Sequence, residues 1–210
     1  GQHYHGCVYT VEGDWSQAAF FLAAGALGSK IGVSGLNPVS RQGDRAIEAL
    51  LAQFGARLRW EDGALFCLSG ELNGLTIDAA QIPDLVPILS VLGAYCQGRT
   101  HLENAARVRL KECDRLAAMA EGLQRLGCPV TQTPDSLVIG APGRNTLAGG
   151  SVNGYNDHRI VMSFAIAALN AAGPISISDP ASIQKSYPGF FRDYTSLGGN
   201  AHVSNVVLGN

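Results

Sequence analysis

Acidic and basic side chains crowd into residues 109–115, RLKECDR. Lys111 and Arg115 could bind an anion, and Glu112 between them could carry a proton. Apolar residues then recur at three- and four-residue steps, which predicts a helix with Asp114 as its N-cap. The N–H groups of that first turn would favour a bound anion. A charge cluster at a helix start is commonly only a solvated cap, and this segment alone leaves both interpretations open.

Three more places put charged residues at or before a predicted helix start. Asp84 follows Ile-Pro and opens an apolar run, so an N-cap is one interpretation of it. Asn-Asp-His at residues 156–158 precedes another apolar run, and polar residues in that position commonly only cap a helix. Arg159 follows them, and an arginine at a buried helix start needs a partner. Lys185 also precedes a helix, and its spacing alone suggests a surface lysine.

Composition excludes several classes of protein. The 210 residues are 46% hydrophobic and 15% charged, with a net charge of −2, which argues against a nucleic-acid binder. The longest apolar run, residues 18–27, is too short to span a bilayer, and no signal-peptide pattern precedes it. The five cysteines are scattered without a CxxC pair, which favours neither a zinc site nor a disulfide framework. We therefore expect a cytoplasmic protein.

The hydrophobic pattern repeats three times. Runs that are apolar on nearly every side predict buried helices at residues 16–27, 84–96 and 158–170. Amphipathic helices are predicted at residues 44–54, 114–126 and 188–197. Residues 10–14 are predicted to be a strand end and a turn. Further strands are predicted at residues 30–34, 57–61, 65–69, 100–103, 129–133, 136–139, 175–178 and 201–208, and Asp62-Gly63 predicts a hairpin turn between the second and third of these.

Glycines at positions 55, 127 and 198 end the amphipathic helices, so the period is roughly seventy residues, longer than in solenoids. Each unit has the order β, buried helix, β, amphipathic helix, β, β. Three apolar helices need shielding on most sides, so we place them inside the sheets and amphipathic helices. The pattern predicts an α/β domain with pseudo-threefold symmetry. In such a domain the charged helix starts could converge on one face, with Arg159 near Arg115.

Six stretches of the sequence, which occur in the same order as in the family, resemble the family of 3-phosphoshikimate 1-carboxyvinyltransferase, or EPSP synthase. They are VEGDWSQAAFFLAAGAL at 11–27, GLNPVSRQGD at 35–44, IPDLVPILSVLGAY at 82–95, RLKECDRLAAM at 109–119, YNDHRIVMSFAIAAL at 155–169 and DPASIQKSYPGFFRDYTSLG at 179–198. The related UDP-N-acetylglucosamine enolpyruvyl transferase shares fold and chemistry, but the KECDR and NDHR motifs are more similar to the shikimate enzyme. The resemblance implies an enolpyruvyl transferase-like domain.

The resemblance covers only the C-terminal half of a family member. It implies that residues 1–10 are the remnant of an interdomain crossing and that residues 11–210 are one of two domains. The other domain would carry a lysine-serine motif, a glycine-rich loop, a further arginine and most contacts to shikimate 3-phosphate. We therefore expect this chain to be inactive alone.

The implied reaction joins phosphoenolpyruvate to the 5-hydroxyl of shikimate 3-phosphate and releases phosphate, with no metal or cofactor. The resemblance assigns roles to seven residues. Asp84 and Glu112 would be catalytic, Asp84 and Lys111 would contact shikimate 3-phosphate, Arg115, Arg159 and Lys185 would bind phosphoenolpyruvate, and His158 would be a neighbour.

Two positions depart from the family pattern. Arg107 stands where some members have a substrate-contacting asparagine, and Cys113 stands where serine or threonine is common. Two other functions stay open: a stand-alone, non-catalytic anion-binding module of the same fold, and half of the UDP-N-acetylglucosamine enzyme.

Overall fold

The computed structural model describes residues 2–143 and 146–204, in which each apolar helix is followed by a strand and a second helix. The α-helices are α1 (Trp15–Ala26), α2 (Ala46–Phe54), α3 (Val86–Tyr95), α4 (Arg115–Arg125), α5 (His158–Ala167) and α6 (Phe190–Ser196). The strands are β1 (Ile31–Ser34), β2 (Arg57–Glu61), β3 (Ala64–Leu68), β4 (Thr76–Asp78), β5 (Thr100–Glu103), β6 (Val130–Gln132), β7 (Leu137–Ile139), β8 (Gly150–Val152) and β9 (Ile175–Ile177). The predicted α/β class is confirmed.

Helices α1, α3 and α5 form the centre of the molecule and pack against one another. Every residue of α3 and α5 is buried, and so is every residue of α1 except Ser16 and Gln17. Their sequences are apolar on all sides because they have no solvent-facing side, and burying that surface is the main favourable contribution to folding. The prediction of three buried helices is confirmed.

The amphipathic helices cover this centre with one face each. In α4 the buried face includes Leu116, Met119 and Leu123, while Arg125 stays exposed. Helix α2 ends at Gly55, whose φ of 108° is in the left-handed region that glycine adopts without steric cost. These helices begin and end within two residues of the predicted bounds.

The strands form three small sheets around the helices. One is antiparallel with the order β1-β3-β2, one is mixed with the order β4-β5-β7-β6, and one is the parallel pair β8-β9. The turn between β2 and β3 has positive φ at Asp62 and Gly63, 49° and 74°, as a type I′ hairpin turn requires. The predicted hairpin at Asp-Gly is confirmed.

Some strand predictions are wrong. Residues 10–14 contain no strand, because Asp14 turns to cap α1 and Gly13 alone donates a backbone hydrogen bond to Gly35. Residues 201–204 also contain no strand, and 205–208 lie outside the described residues. Conversely, β4 and β8 are found where no strand was located, because each pairs in parallel with a strand beyond a buried helix, β5 or β9, and no local hairpin turn marks it. Within the described residues, no helix has the length and apolarity needed to cross a membrane.

Close packing between α4 and α5 leads to a stability prediction. A Cβ on Gly122 would lie 2.2 Å from the ring of Phe164, which is fully buried. We expect Gly122→Ala to destabilise the chain by about 1–3 kcal/mol in urea unfolding, because the core is overpacked despite the better helix propensity of alanine. Gly122→Ala with Phe164→Leu should recover part of the loss. Gly6→Ala, which meets nothing within 4 Å, is the control, and a loss no larger than that of the control would contradict the packing argument.

Candidate active site

Arg115, the first residue of α4, has a buried guanidinium surrounded by carboxylates. Its Nε donates to Asp157 Oδ2 at 2.7 Å, its Nη1 to Asp84 Oδ1 at 2.8 Å and its Nη2 to Glu112 Oε2 at 2.6 Å. Nη2 also reaches Asp157 Oδ1 at 3.3 Å. The side chain is 1% exposed. Arg115 therefore ties together three parts of the chain that are far apart in sequence.

Asp157 has two functions at the start of α5. Its Oδ1 accepts the backbone N–H of Arg159 at 2.9 Å and so caps the helix, while Oδ2 receives Arg115. Burial acts to raise the pKa of Asp157, but the hydrogen bond and charge of Arg115 outweigh it, and the pKa lies below its ordinary value. The carboxyl group is fully buried and ionised, so it anchors Arg115 from the protein side.

Asp84 lies between three cations. Its Oδ1 is 3.1 Å from Lys111 Nζ and 2.8 Å from Arg115 Nη1, and its Oδ2 is 3.5 Å from Arg159 Nη2. Burial acts to raise the pKa of Asp84, but Arg159 and Lys111 lower it by more, so the pKa lies below its ordinary value. The N-cap interpretation is wrong, because α3 begins at Val86 and its N-cap is Leu85. The three cations instead attract the Asp84 carboxylate and hold it within the site.

Glu112 and His158 form the next part of the cluster. His158 Nδ1 is 3.8 Å from Glu112 Oε1 and 3.9 Å from Asp157 Oδ1, and it has no hydrogen-bond partner among the described residues. Burial, followed by the charge of Arg159, lowers the pKa of His158 below its ordinary value of 6.5. The imidazole is therefore neutral at pH 7.

The predicted convergence is confirmed, because Arg115 and Arg159 both form ion pairs with the carboxylate of Asp84. Lys185 joins the group indirectly, because its ammonium donates to the backbone carbonyl of Asn156, the residue before Asp157. The predicted N-cap at Asp114 is also confirmed, since its side chain accepts the N–H of Ala117 at 3.0 Å.

Exposure divides the cluster into a protein side and an open side. Arg115 and Asp157 are 1% and 0% exposed, whereas Asp84, Lys111 and Glu112 are 31%, 31% and 36% exposed. The buried pair holds the geometry, and the partly exposed carboxylates and lysine can meet a ligand. This separation cannot be read from charge or spacing in the sequence.

Sequence reasoning missed Asp157 as a site residue. It was grouped with polar residues that commonly cap helices, and capping is one of its two functions. The available signal was an acidic residue two positions before Arg159, at the start of a buried helix, where a carboxylate also needs a partner. Arg107 is exposed, in the 3₁₀ turn before Lys111. Cys113 has its Sγ 3.5 Å from Asp157 Oδ2, and burial followed by Asp157 raises its pKa to about 12, so the thiol stays protonated.

Over the part of the chain that the structure describes, no group of three or more His, Cys, Asp or Glu could hold a metal ion. The side chains that meet in the cluster are carboxylates, cations and a neutral imidazole. Such a set binds anions and transfers protons.

Comparisons with known proteins agree on one family. A family model described as EPSP synthase (3-phosphoshikimate 1-carboxyvinyltransferase) matches residues 1–194. The 3-phosphoshikimate 1-carboxyvinyltransferase of Clostridium perfringens is 45% identical over 199 residues, 94% of this chain and 46% of the relative. That of Methanocella arvoryzae is 45% identical over 205 residues, covering 96% and 48%.

The fold agrees with a solved structure as well. The crystal structure of EPSP synthase from Acinetobacter baumannii matches with a TM-score of 0.80 and 32% identity, covering 93% of this chain and 48% of that one. This confirms the predicted enolpyruvyl transferase-like fold. The chain spans about half the length of the curated relatives it matches.

The buried ion network yields a stability prediction. Arg115→Met should cost about 3–5 kcal/mol in urea unfolding, because Asp157 would be left as a buried charge without its partner. Arg125→Met is the matched control: its pair with Glu121 is exposed, and such pairs contribute about 0–1 kcal/mol. Adding Asp157→Asn to Arg115→Met should recover part of the loss. A cost equal to that of the control would contradict the role of Arg115.

The lowered pKa of His158 yields a prediction about pH. As pH falls below 6.5, the unfolded imidazole takes a proton that the folded one resists, so the free energy of unfolding decreases until the folded pKa is passed. His158→Gln should show a smaller loss than wild type between pH 7 and about 5. Exposed His202, changed to Gln, is the control. Parallel pH curves for wild type and His158→Gln would contradict the assignment.

Proposed function

The chain belongs to the EPSP synthase family, and we propose that it is the C-terminal domain of a 3-phosphoshikimate 1-carboxyvinyltransferase. The synthase transfers the enolpyruvyl group of phosphoenolpyruvate to the 5-hydroxyl of shikimate 3-phosphate and releases phosphate. This step belongs to the shikimate pathway, which leads to chorismate and the aromatic amino acids. The observation that carries the proposal is the meeting of Asp84, Lys111, Glu112, Arg115 and Arg159 around one point.

Phosphoenolpyruvate carries a carboxylate and a phosphate, and arginine binds both as a planar fork. Arg159 is the better placed arginine, because its side chain has only weak contacts to Asp84, at 3.3 and 3.5 Å. Arg115 already donates to three carboxylates, so the substrate anion must displace one of these carboxylates to bind Arg115. Glu112 is the carboxylate that the substrate displaces, since its side chain is the most exposed of the three. Lys185 adds a further positive charge.

Two carboxylates do the proton work. Asp84 is ionised, because its pKa is lowered, and it accepts the proton of the 5-hydroxyl as the oxygen bonds to C2 of phosphoenolpyruvate. Glu112 delivers a proton to the methylene carbon C3 in the same addition. Since the product keeps the enol ether, C3 returns a proton to the Glu112 carboxylate when the C–O bond to phosphate breaks, and the leaving phosphate takes the proton held by Asp84. Lys111 holds shikimate 3-phosphate beside Asp84.

The half-length match supports a two-domain synthase in which residues 1–10 belong to the interdomain crossing and residues 11–210 form this domain. The N-terminal domain supplies the remaining substrate contacts and excludes water. The open side of the cluster supports this arrangement, because Asp84 and Glu112 are a third exposed. The synthase acts in the cytoplasm, which agrees with the free, buried thiols of Cys67, Cys96 and Cys128.

Complementation tests the proposal. The purified chain is mixed with the N-terminal domain of the same synthase, and phosphate release from phosphoenolpyruvate is followed with and without shikimate 3-phosphate. We expect release only in the mixture with both substrates, and negligible release by the chain alone, because half a site cannot orient the substrates. Asp84→Ala and Glu112→Gln should each lower kcat by about 100-fold or more.

Glu71→Gln, at an exposed position away from the cluster, is the control and should keep wild-type activity. Circular dichroism confirms that both halves are folded. No release from folded halves would refute the proposal and favour a non-catalytic anion-binding module. Release with UDP-N-acetylglucosamine in place of shikimate 3-phosphate would indicate the related transferase.

A further inference from the structure

The turn Gly154–Asp157, directly before α5, has a backbone conformation that a tyrosine at position 155 disfavours. The N–H of Asp157 donates to the carbonyl of Gly154 at 2.9 Å, and φ is 52° at Tyr155 and 49° at Asn156. Two successive positive φ angles define a type I′ turn, which glycine and asparagine favour. A tyrosine in the left-handed region is a steric outlier, so other contacts must hold the turn.

A hydrogen bond from α4 holds the side chain of Tyr155. The Tyr155 hydroxyl donates to Glu121 Oε2, and the carboxylate's other oxygen receives Nε of Arg125 at 2.9 Å. The hydrogen bond to Glu121 raises the pKa of Tyr155, so the hydroxyl remains a donor. The Tyr155 ring also packs against the hydrophobic core. Helix α4, which begins with Arg115, therefore supports the turn that precedes α5, together with the side chains of Asn153 and Asp179, which accept the N–H groups of Tyr155 and Asn156.

The turn presents two groups to the site. The backbone carbonyl of Asn156 accepts the Lys185 ammonium, and the next residue, Asp157, holds Arg115. The direction of the Asn156 carbonyl depends on the left-handed backbone. If the turn relaxed to negative φ, that carbonyl would point elsewhere and Lys185 would lose its acceptor.

We propose that Glu121 and Tyr155 are positioning residues: their hydrogen bond keeps the Gly154–Asp157 turn left-handed and so fixes Lys185 at the phosphoenolpyruvate site. The effect on phosphoenolpyruvate rests on the proposed function. The effect on Lys185 does not, and it is measured without any substrate.

Lysine labelling tests the positioning directly. The chain has three lysines, Lys30, Lys111 and Lys185, so trace acetylation read by mass spectrometry gives each rate in one sample. Exposed Lys30 is the internal reference. We expect the Lys185-to-Lys30 ratio to rise about fivefold in Tyr155→Phe and Glu121→Ala, the effect of losing one hydrogen bond. Glu121→Gln keeps an acceptor oxygen and should stay near wild type.

Arg125→Ala is the matched control, because it removes the other partner of Glu121 and leaves the tyrosine hydrogen bond. An unchanged ratio in Tyr155→Phe and Glu121→Ala, or an equal rise in Arg125→Ala, would overturn the proposal. Melting temperatures check that each variant is folded.

Steady-state kinetics of the complemented synthase provide a second test of the proposal. Tyr155→Phe and Glu121→Ala should raise KM for phosphoenolpyruvate about fivefold and leave KM for shikimate 3-phosphate within about twofold. Equal rises in both constants, or no rise despite faster Lys185 labelling, would overturn the positioning role. Failure of wild type to turn over would count against the proposed function, and the labelling result would still decide whether the hydrogen bond holds Lys185.

Discussion

The guanidinium of Arg115 donates hydrogen bonds to carboxylates from three separate segments, and the geometry of the site depends on these bonds. Asp84 precedes α3, Glu112 precedes α4 and Asp157 caps α5. Burying an arginine and a carboxylate costs free energy that their attraction returns only when each charge has well-placed partners. Arg115 and Asp157 meet that condition, so the network favours one relative placement of the segments and penalises others.

The three apolar helices make this network possible. Because α1, α3 and α5 pack against one another at the centre, the segments before α3 and α5 reach the same region as the start of α4. The repeated unit thus does more than fill a core. It brings charged residues at separate helix starts together, where each would be an ordinary solvated cap if its helix stood alone.

The division between buried and exposed charges explains how one cluster serves both stability and chemistry. Asp157 fixes Arg115 from the protein side, where the environment is dry and the interaction strong. Asp84 and Glu112 complete the ring from the open side, so a ligand anion can replace a carboxylate there without leaving Arg115 unpaired. A site built in this way is held in shape before any ligand binds, which reduces the cost of ordering it.

The sequence alone determined the local elements. The apolar runs, the amphipathic periodicity, the Asp62-Gly63 turn and the glycine stops depend on neighbouring residues, and they gave the helices and the α/β class. The motifs gave the family and six of the residues that meet at the site. Only the tertiary structure decided what each charge contacts: Asp157, the buried partner of Arg115, is 42 residues away, and its position in the sequence suggests only a cap. It also decided the left-handed turn at Tyr155 and the short strands β4 and β8. Spacing along the chain encodes periodicity, whereas contacts across the core depend on how three helices pack.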